Sequence, residues 1–294
     1  MLLSEVLREL AIWILLAVSL NFVVGKTSIW SVGHLAFYGI GALGCAATLT
    51  GGHGLALAIL VGLGAAVLAS LVLGSATFRL SQDFFVILSV ALSELVLSVS
   101  VSWKGPSGFE GVPRPRLGPL DAGGDWSLLW LLVVPALALA LVLWDRFGRL
   151  PLDAVCALVR CDENTARLLQ ISPMRYKLGC FAIGAALAGL AGCLASVAAH
   201  STDPNELVLS RSMMLFAAVL AGGVNSLTGS VFAGVLLVAL PRLLERVLFG
   251  GPFGSLYGAN LSQLLFGLTL ILIVRYRPEG LAGGDELQHQ ESRK

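Results

Sequence analysis

Residues Trp144 to Leu178 read WDRFGRLPLDAVCALVRCDENTARLLQISPMRYKL, a charged island between two long apolar runs. Six of the chain's 19 basic residues (Arg146, Arg149, Arg160, Arg167, Arg175 and Lys177) fall inside it. Basic residues collect in the short cytoplasmic loops of membrane proteins, so the island is expected on the cytoplasmic side. Arg160, Asp162, Glu163 and Ala166 fit within one and a half helical turns, and a Ser-Pro break follows at Ser172 and Pro173. That spacing predicts a short helix on the bilayer surface, built to touch something outside the membrane.

The flanks of the island set the class. Of 294 residues, 56% are hydrophobic and 13% charged, with mean hydropathy +0.86. A soluble domain carries about 25% charged residues, so the chain reads as an integral membrane protein. A formal charge of +1 offers no concentrated basic surface for phosphates, which excludes nucleic acid as a partner. Cys45, Cys156, Cys161, Cys180 and Cys193 include no C-x-x-C pair, so neither a disulfide framework nor a metal site is supported. The phosphate loop G-x-x-x-x-G-K-[ST], H-E-x-x-H and G-x-S-x-G are all missing from the sequence. Energy for any transport must then come from an ion gradient or another subunit.

A helix needs roughly 17 to 25 apolar residues to cross the hydrocarbon layer. Candidate spans are Leu10–Val24, His34–Thr50, Leu55–Leu73, Phe84–Val101, Trp126–Trp144, Leu178–Ala199, Met213–Val224, Val231–Phe249 and Leu261–Tyr276. The fold expected is all-α, a polytopic transmembrane helical bundle of about 8 to 10 spans that includes broken or re-entrant segments. Glu5, Arg8 and Glu9 precede the first span and no small-residue cleavage site follows, so it reads as a retained span rather than a signal peptide. Residues 1–281 form one transmembrane domain around the island at 145–177, and 282–294 read as a disordered polar tail. Counting outward puts the Arg79 loop and the Arg275–Arg277 stretch on the island's side, with Trp103–Gly124 and His200–Ser212 opposite. Lys104, Arg114 and Arg116 run against that placement. Small residues recur every fourth position at Ala58, Gly62, Ala66, Ser70 and Gly74, and again at Gly184, Ala188, Gly192 and Ser196. Such stripes predict close helix packing within the bundle.

Three places stand out for chemistry. Glu94 lies mid-span, where a carboxylate is costly and faces protein or a watery path. It reads either as a hydrogen-bond anchor between helices or as a pathway residue, with Ser89, Ser93 and Ser98 near its face. Gly25 to Gly44 holds Gly33 and His34 in a glycine-dense stretch that predicts a break or very close packing. His34 reads as a satisfied interfacial residue or a proton switch. Gly222 to Gly229, GGVNSLTG, reads as a tight connection at or near membrane depth, with Gly222 and Gly223 at the break.

Together these motifs resemble the permease subunits of ABC importers for branched-chain amino acids, a family that also takes urea and short amides. The resemblance rests on Leu20, Asn21, Val24 and Gly25, then Ser31, Gly33, His34, Ala36, Phe37, Gly39, Ile40, Gly41 and Ala42. It continues through Phe85 to Glu94, Gly105 to Pro113, and Arg146, Phe147, Gly148 and Arg149. Further on come Ala157, Arg160, Asp162, Glu163, Ala166 and Ile171, then Lys177, Leu178 and Phe181, Ala188 to Gly192, Gly222 to Gly229, and Arg277 to Leu281. It implies a non-catalytic subunit of the bacterial inner membrane with no cofactor of its own, ATP being bound by partner subunits. The partners implied are a homologous second permease, two ATPases, an external solute-binding protein and membrane lipid. It casts the island as the segment on which the ATPase docks. Arg160, Asp162 and Glu163 would supply polar contacts, and Ala166 and Ile171 would pack into the ATPase groove. The sequence departs from the family pattern at Thr165, at Gln170 where glycine is usual, and at Ser28 and Ile29 where Gly-Gln is usual. The alternative is a stand-alone secondary transporter or channel, although Glu94 is the one deeply placed carboxylate available for ion coupling. A membrane enzyme ranks last, because no nucleophile and base can be paired.

Overall fold

The computed structural model describes residues 2–78, 82–113 and 132–248, together with 264, 267–269, 271–273, 275–276 and 280–281. The chain runs α1 (Leu2–Thr27), α2 (Leu35–Thr50), α3 (Leu55–Thr77), α4 (Gln82–Lys104), β1 (Phe109–Glu110), α5 (Val134–Arg149), α6 (Pro151–Cys161) and α7 (Glu163–Leu168). It continues through α8 (Pro173–Ala199), β2 (Ser201–Thr202), α9 (Leu209–Gly222) and α10 (Leu227–Leu248). This is the all-α membrane bundle expected. The polar tail at 282–294, the Arg79 loop, Arg114, Arg116, Arg277 and part of the Leu261–Tyr276 span lie outside the described residues.

Among the described residues four helices are long and apolar enough to cross a bilayer, and burial ranks them. In α1 and α8, 61% of the most apolar window is buried within the chain, against 22% in α3 and 28% in α4. The first pair therefore forms the centre and the second pair a rim with broad outward faces. The small-residue stripes explain the centre. Ala58, Gly62, Ala66, Ser70 and Gly74 are all on the buried side of α3, which packs on α8. Gly184, Ala188, Gly192 and Ser196 are buried on α8 itself. A methyl group at Gly62 would strike both the Cys193 thiol and the Gly41 carbonyl, so α2, α3 and α8 meet backbone to backbone. Lipid is as apolar as leucine, and close van der Waals contact is what holds such helices together. Phe37, Phe78 and Phe85 surround Phe181 at ring separations of 5.2, 5.5 and 5.4 Å, closing the core where α2, α3, α4 and α8 converge.

Contacts between loops fix sidedness. β1 pairs antiparallel with β2, Phe109 opposite Thr202, so the segment after α4 and the end of α8 share one surface. On the other surface a polar cleft of about 530 Å3 is lined by Thr27, Ser28, Thr77, Arg160, Glu163 and Lys177. The ends of α1 and α3 thus lie on the island's side, as the count of basic residues predicts. Lys26, 7% exposed, pairs with Asp153 at 2.8 Å and pins the start of α6 to the end of α1.

Several helices run past the expected span boundaries and bring polar residues into the helix, α5 and α9 among them. The helix expected to stop at Trp144 continues as α5 to Arg149, because Asp145 and Arg149 pair at i,i+4 and carry it into the island. The short span expected from Met213 begins at Leu209, so α9 takes in Arg211 and Ser212.

Candidate functional site

The island does not fold as one short helix. Asp162 takes extended backbone angles (φ −155°, ψ 107°), ends α6 and caps α7. Its Oδ1 accepts from the Asn164 N–H at 2.8 Å and its Oδ2 from the Thr165 hydroxyl at 2.6 Å. The Thr165 hydroxyl, then the Asn164 amide, hold this carboxyl below the usual carboxylate range. A depressed carboxylate contributes its capping above its unfolded-state pKa and loses it as pH falls through the folded value, so the cap is intact at neutral pH. Thr165, read from sequence only as a departure, is therefore half of the cap.

The far end of α7 closes as a Schellman motif. The Gln170 N–H donates to Arg167 O at 3.0 Å and the Ile171 N–H to Ala166 O at 3.0 Å, with Gln170 left-handed at φ 62°. Ser28, the other position where the family pattern has glycine, is also left-handed at φ 54°. The turns keep the shape glycine favours although glycine is gone. A left-handed non-glycine residue costs about 1 kcal/mol, so Gln170→Gly is expected to raise stability by about that much. Thermal unfolding in detergent checks this, and an unchanged or lower midpoint would mean that the Gln170 side chain offsets the strain.

The corner redistributes the roles read from sequence. Arg160 turns inward and donates to Gly25 O at 2.8 Å, tying α6 to the end of α1. Glu163 pairs with Lys177 on α8 and with Arg167 at 3.4 Å. Ala166 is 0% exposed and Ile171 half-buried, so Ala166 presents nothing to a partner. Its place at the tip falls to Leu168 and Leu169, 84% and 61% exposed. Sequence reasoning passed over them because a helix end with two leucines looks like ordinary amphipathic pattern. Their exposure follows only from the turn at Gln170.

Gly222 ends α9, and Gly223 takes φ 114° as the chain reverses into α10. The reversal packs on α1, where a methyl at Gly25 would lie 2.8 Å from Asn225 Cα. Asn21 of α1, fully buried, serves it. Its Nδ2 lies 3.0 Å from Gly223 O, 2.8 Å from Ser226 O and 2.7 Å from Ser230 Oγ, and its Oδ1 accepts from the Asn225 N–H at 2.8 Å. This is the protein surround that irregular backbone at membrane depth requires. In the sequence Asn21 was visible only as part of a motif.

His34 is fully buried rather than interfacial. Its Nε2 lies 3.0 Å from Ser19 Oγ, whose own proton goes to Leu16 O at 2.7 Å. The Nε2–H tautomer fits that arrangement, and Nδ1 has no hydrogen-bond partner among the described residues. Gly33 donates its N–H to Ser89 Oγ at 3.2 Å, and a methyl there would land on the Ser89 carbonyl. Both residues lock the α1–α2 break against α1 and α4.

Glu94 sits at the middle of the 23-residue α4 and is exposed on its outward face. It anchors no second helix of this chain's described residues. Ser89 and Ser93 are buried on the other side of α4, and of the serines read with it only Ser98 shares its exposure.

A multi-pass helical bundle with broken helices at membrane depth and a polar corner tied to its central helices describes a membrane permease. The sequence matches, over residues 2–274, the family model described as the permease component of branched-chain amino acid transport systems, and the chain belongs to that family. It is 29% identical over 299 residues to the high-affinity branched-chain amino acid transport system permease protein LivM of Escherichia coli, covering 92% of this chain and 67% of that protein. A probable branched-chain amino acid transport permease protein LivM of Methanocaldococcus jannaschii is 27% identical, over 69% of this chain and 61% of its own length. The permease protein LivH of Salmonella typhimurium, of the corresponding high-affinity system, is 26% identical over 55% of this chain and 48% of its own. No solved structure matches the chain.

Proposed function

We propose that this chain is the passive gate of an ATP-driven importer in the bacterial inner membrane, carrying branched-chain amino acids or a closely related small solute. It works with a second permease, two ATPase subunits and an external binding protein. The observation that carries the reading is the corner at α7: two bare leucines at the tip of a short helix capped at both ends. Its frame is anchored through Arg160 to α1 and through Glu163 to α8, the two central helices. A push on Leu168 and Leu169 is thereby delivered to the middle of the bundle, as coupling to an external motor requires. Glu163 and Arg160 support the lever internally, and the apolar tip makes the contact. Family membership does not favour the stand-alone carrier.

Burying a leucine contributes about 1.5–3 kcal/mol. Replacing both tips, Leu168→Glu with Leu169→Glu, is expected to weaken ATPase binding at least about a hundredfold. The chain's level in the membrane should not change. Co-purification of the ATPase in mild detergent reads this out, and wild-type recovery of the ATPase with the double variant would overturn the assignment.

A further inference from the structure

We infer that Glu94 is the floor of a water-filled half-channel on the outward face of α4, open towards the β1–β2 surface, where its carboxylate receives the ammonium group of the solute. The inference rests on the transport reading above and adds to it a site within this chain. The opposite wall is a second permease chain, since no described helix of this chain covers that face.

The burial pattern of α4 carries the argument. Phe84, Ile87, Leu88, Ala91, Glu94, Leu95, Ser98, Val99 and Ser102 are all exposed, a single face at helical spacing. Were that face immersed in acyl chains, a charged residue at its centre would cost about 2.5–3.5 kcal/mol on insertion scales. The polar groups also follow an order. Glu94, Ser98 and Ser102 are four residues apart and form one ridge from mid-span to the end of α4 at Lys104, next to β1. Below Glu94 the same face turns apolar, with Ile87 65% and Phe84 59% exposed. Hydroxyls on one side and hydrocarbon on the other are what a half-channel needs: a wet path down to the carboxylate, then a dry plug towards the island's side. Glu94 is the lone charge between Asp83 and Lys104, so no cation within two turns of it on α4 neutralises it. The neighbouring Leu95 and Val99, 59% and 47% exposed, offer an apolar wall beside it. A solute with an ammonium group and a branched hydrocarbon side chain matches both.

The test places single cysteines on α4 of the full chain in its own membranes, in a Cys161→Ser background because the other four native cysteines are buried. Membrane-impermeant methanethiosulfonates are added from the outside. Ser98→Cys and Ser102→Cys are expected to react, and Ile87→Cys and Leu88→Cys, in the dry plug, to stay protected. Adding Glu94→Gln to Ser98→Cys should slow a cationic reagent about tenfold by removing the focused negative potential, with a neutral reagent unchanged. If Ser98→Cys reacts no faster than Leu88→Cys there is no wet path. If it reacts but shows no cation preference that depends on Glu94, the carboxylate does not receive the ammonium group. Labelling needs neither ATP nor the α7 corner, so failure here leaves the importer reading standing, and failure of Leu168 and Leu169 to bind an ATPase leaves this one standing.

Discussion

Asn21→Asp will destabilise this protein more than any other change of a single functional group. The substitution keeps the shape of the side chain and removes its two amide hydrogens. The Gly223 and Ser226 carbonyls, now 3.0 and 2.8 Å from an NH2 group, would face a buried carboxylate instead. Ser230 alone could turn its proton to the new oxygen. Single interhelical hydrogen bonds within membranes average about 0.6 kcal/mol, because partly unfolded helices find other partners. That average does not apply at a reversal, where the Gly223 carbonyl loses its partner and the Ser226 carbonyl, which keeps the Ser230 N–H at 3.1 Å, is set against a buried carboxylate. Leaving each buried group unsatisfied costs about 1–3 kcal/mol, so a loss on the order of 3 kcal/mol or more is expected. Thermal unfolding in detergent and the amount of folded protein recovered from membranes are the readouts. A variant within about 0.5 kcal/mol of wild type, the scatter of ordinary surface changes, would show that the reversal is held by packing alone.

Gly192→Val is the second large effect, and its origin is steric. A Cβ at Gly192 would fall on the Tyr38 carbonyl of α2, with the Tyr38 carbonyl carbon at 2.8 Å and the Ala42 nitrogen at 2.9 Å. Overpacking against side chains costs about 1–3 kcal/mol because rotamers give way. Here the obstacle is backbone, so α2 and α8 must separate and the contacts among Gly41, Gly62 and Gly189 open with them. Gly179→Val on the same helix, where nothing lies within 4 Å, is the matched control. The expected result is loss of folded protein at Gly192 with near-normal recovery at Gly179. Equal outcomes would mean that valine's propensity in α8, not the close approach to α2, governs the loss.

Much of this could be read along the chain, for reasons particular to each element. The stripes at Ala58–Gly74 and Gly184–Ser196 were legible because a four-residue period of small side chains has few uses other than close helix packing. The reversal at Gly222 and Gly223 was legible because glycine pairs punctuate apolar runs. The corner was visible as charge, yet its inner logic was not. Arg160 reads as a free cation until the carbonyl of Gly25, 135 positions earlier, is placed 2.8 Å from it. Ala166 and Leu168 differ by two positions on a six-residue helix, and no periodicity can decide over so short a length which of them faces the bundle.

The sequence alone determined that this is a helical membrane protein, where its chain breaks and to which family it belongs. Hydropathy, charge and glycine spacing act locally and are present in any window of residues. Only the tertiary structure decided that Asn21 holds the α9–α10 reversal, that Leu168 and Leu169 rather than Ala166 form the tip of the corner, and that Glu94 lies on the exposed face of α4, away from the other described helices. Each of those depends on which distant backbone comes within about 3 Å, or on which face of a helix is left uncovered when the others have packed. Such proximity is created by folding and leaves no trace in the order of residues.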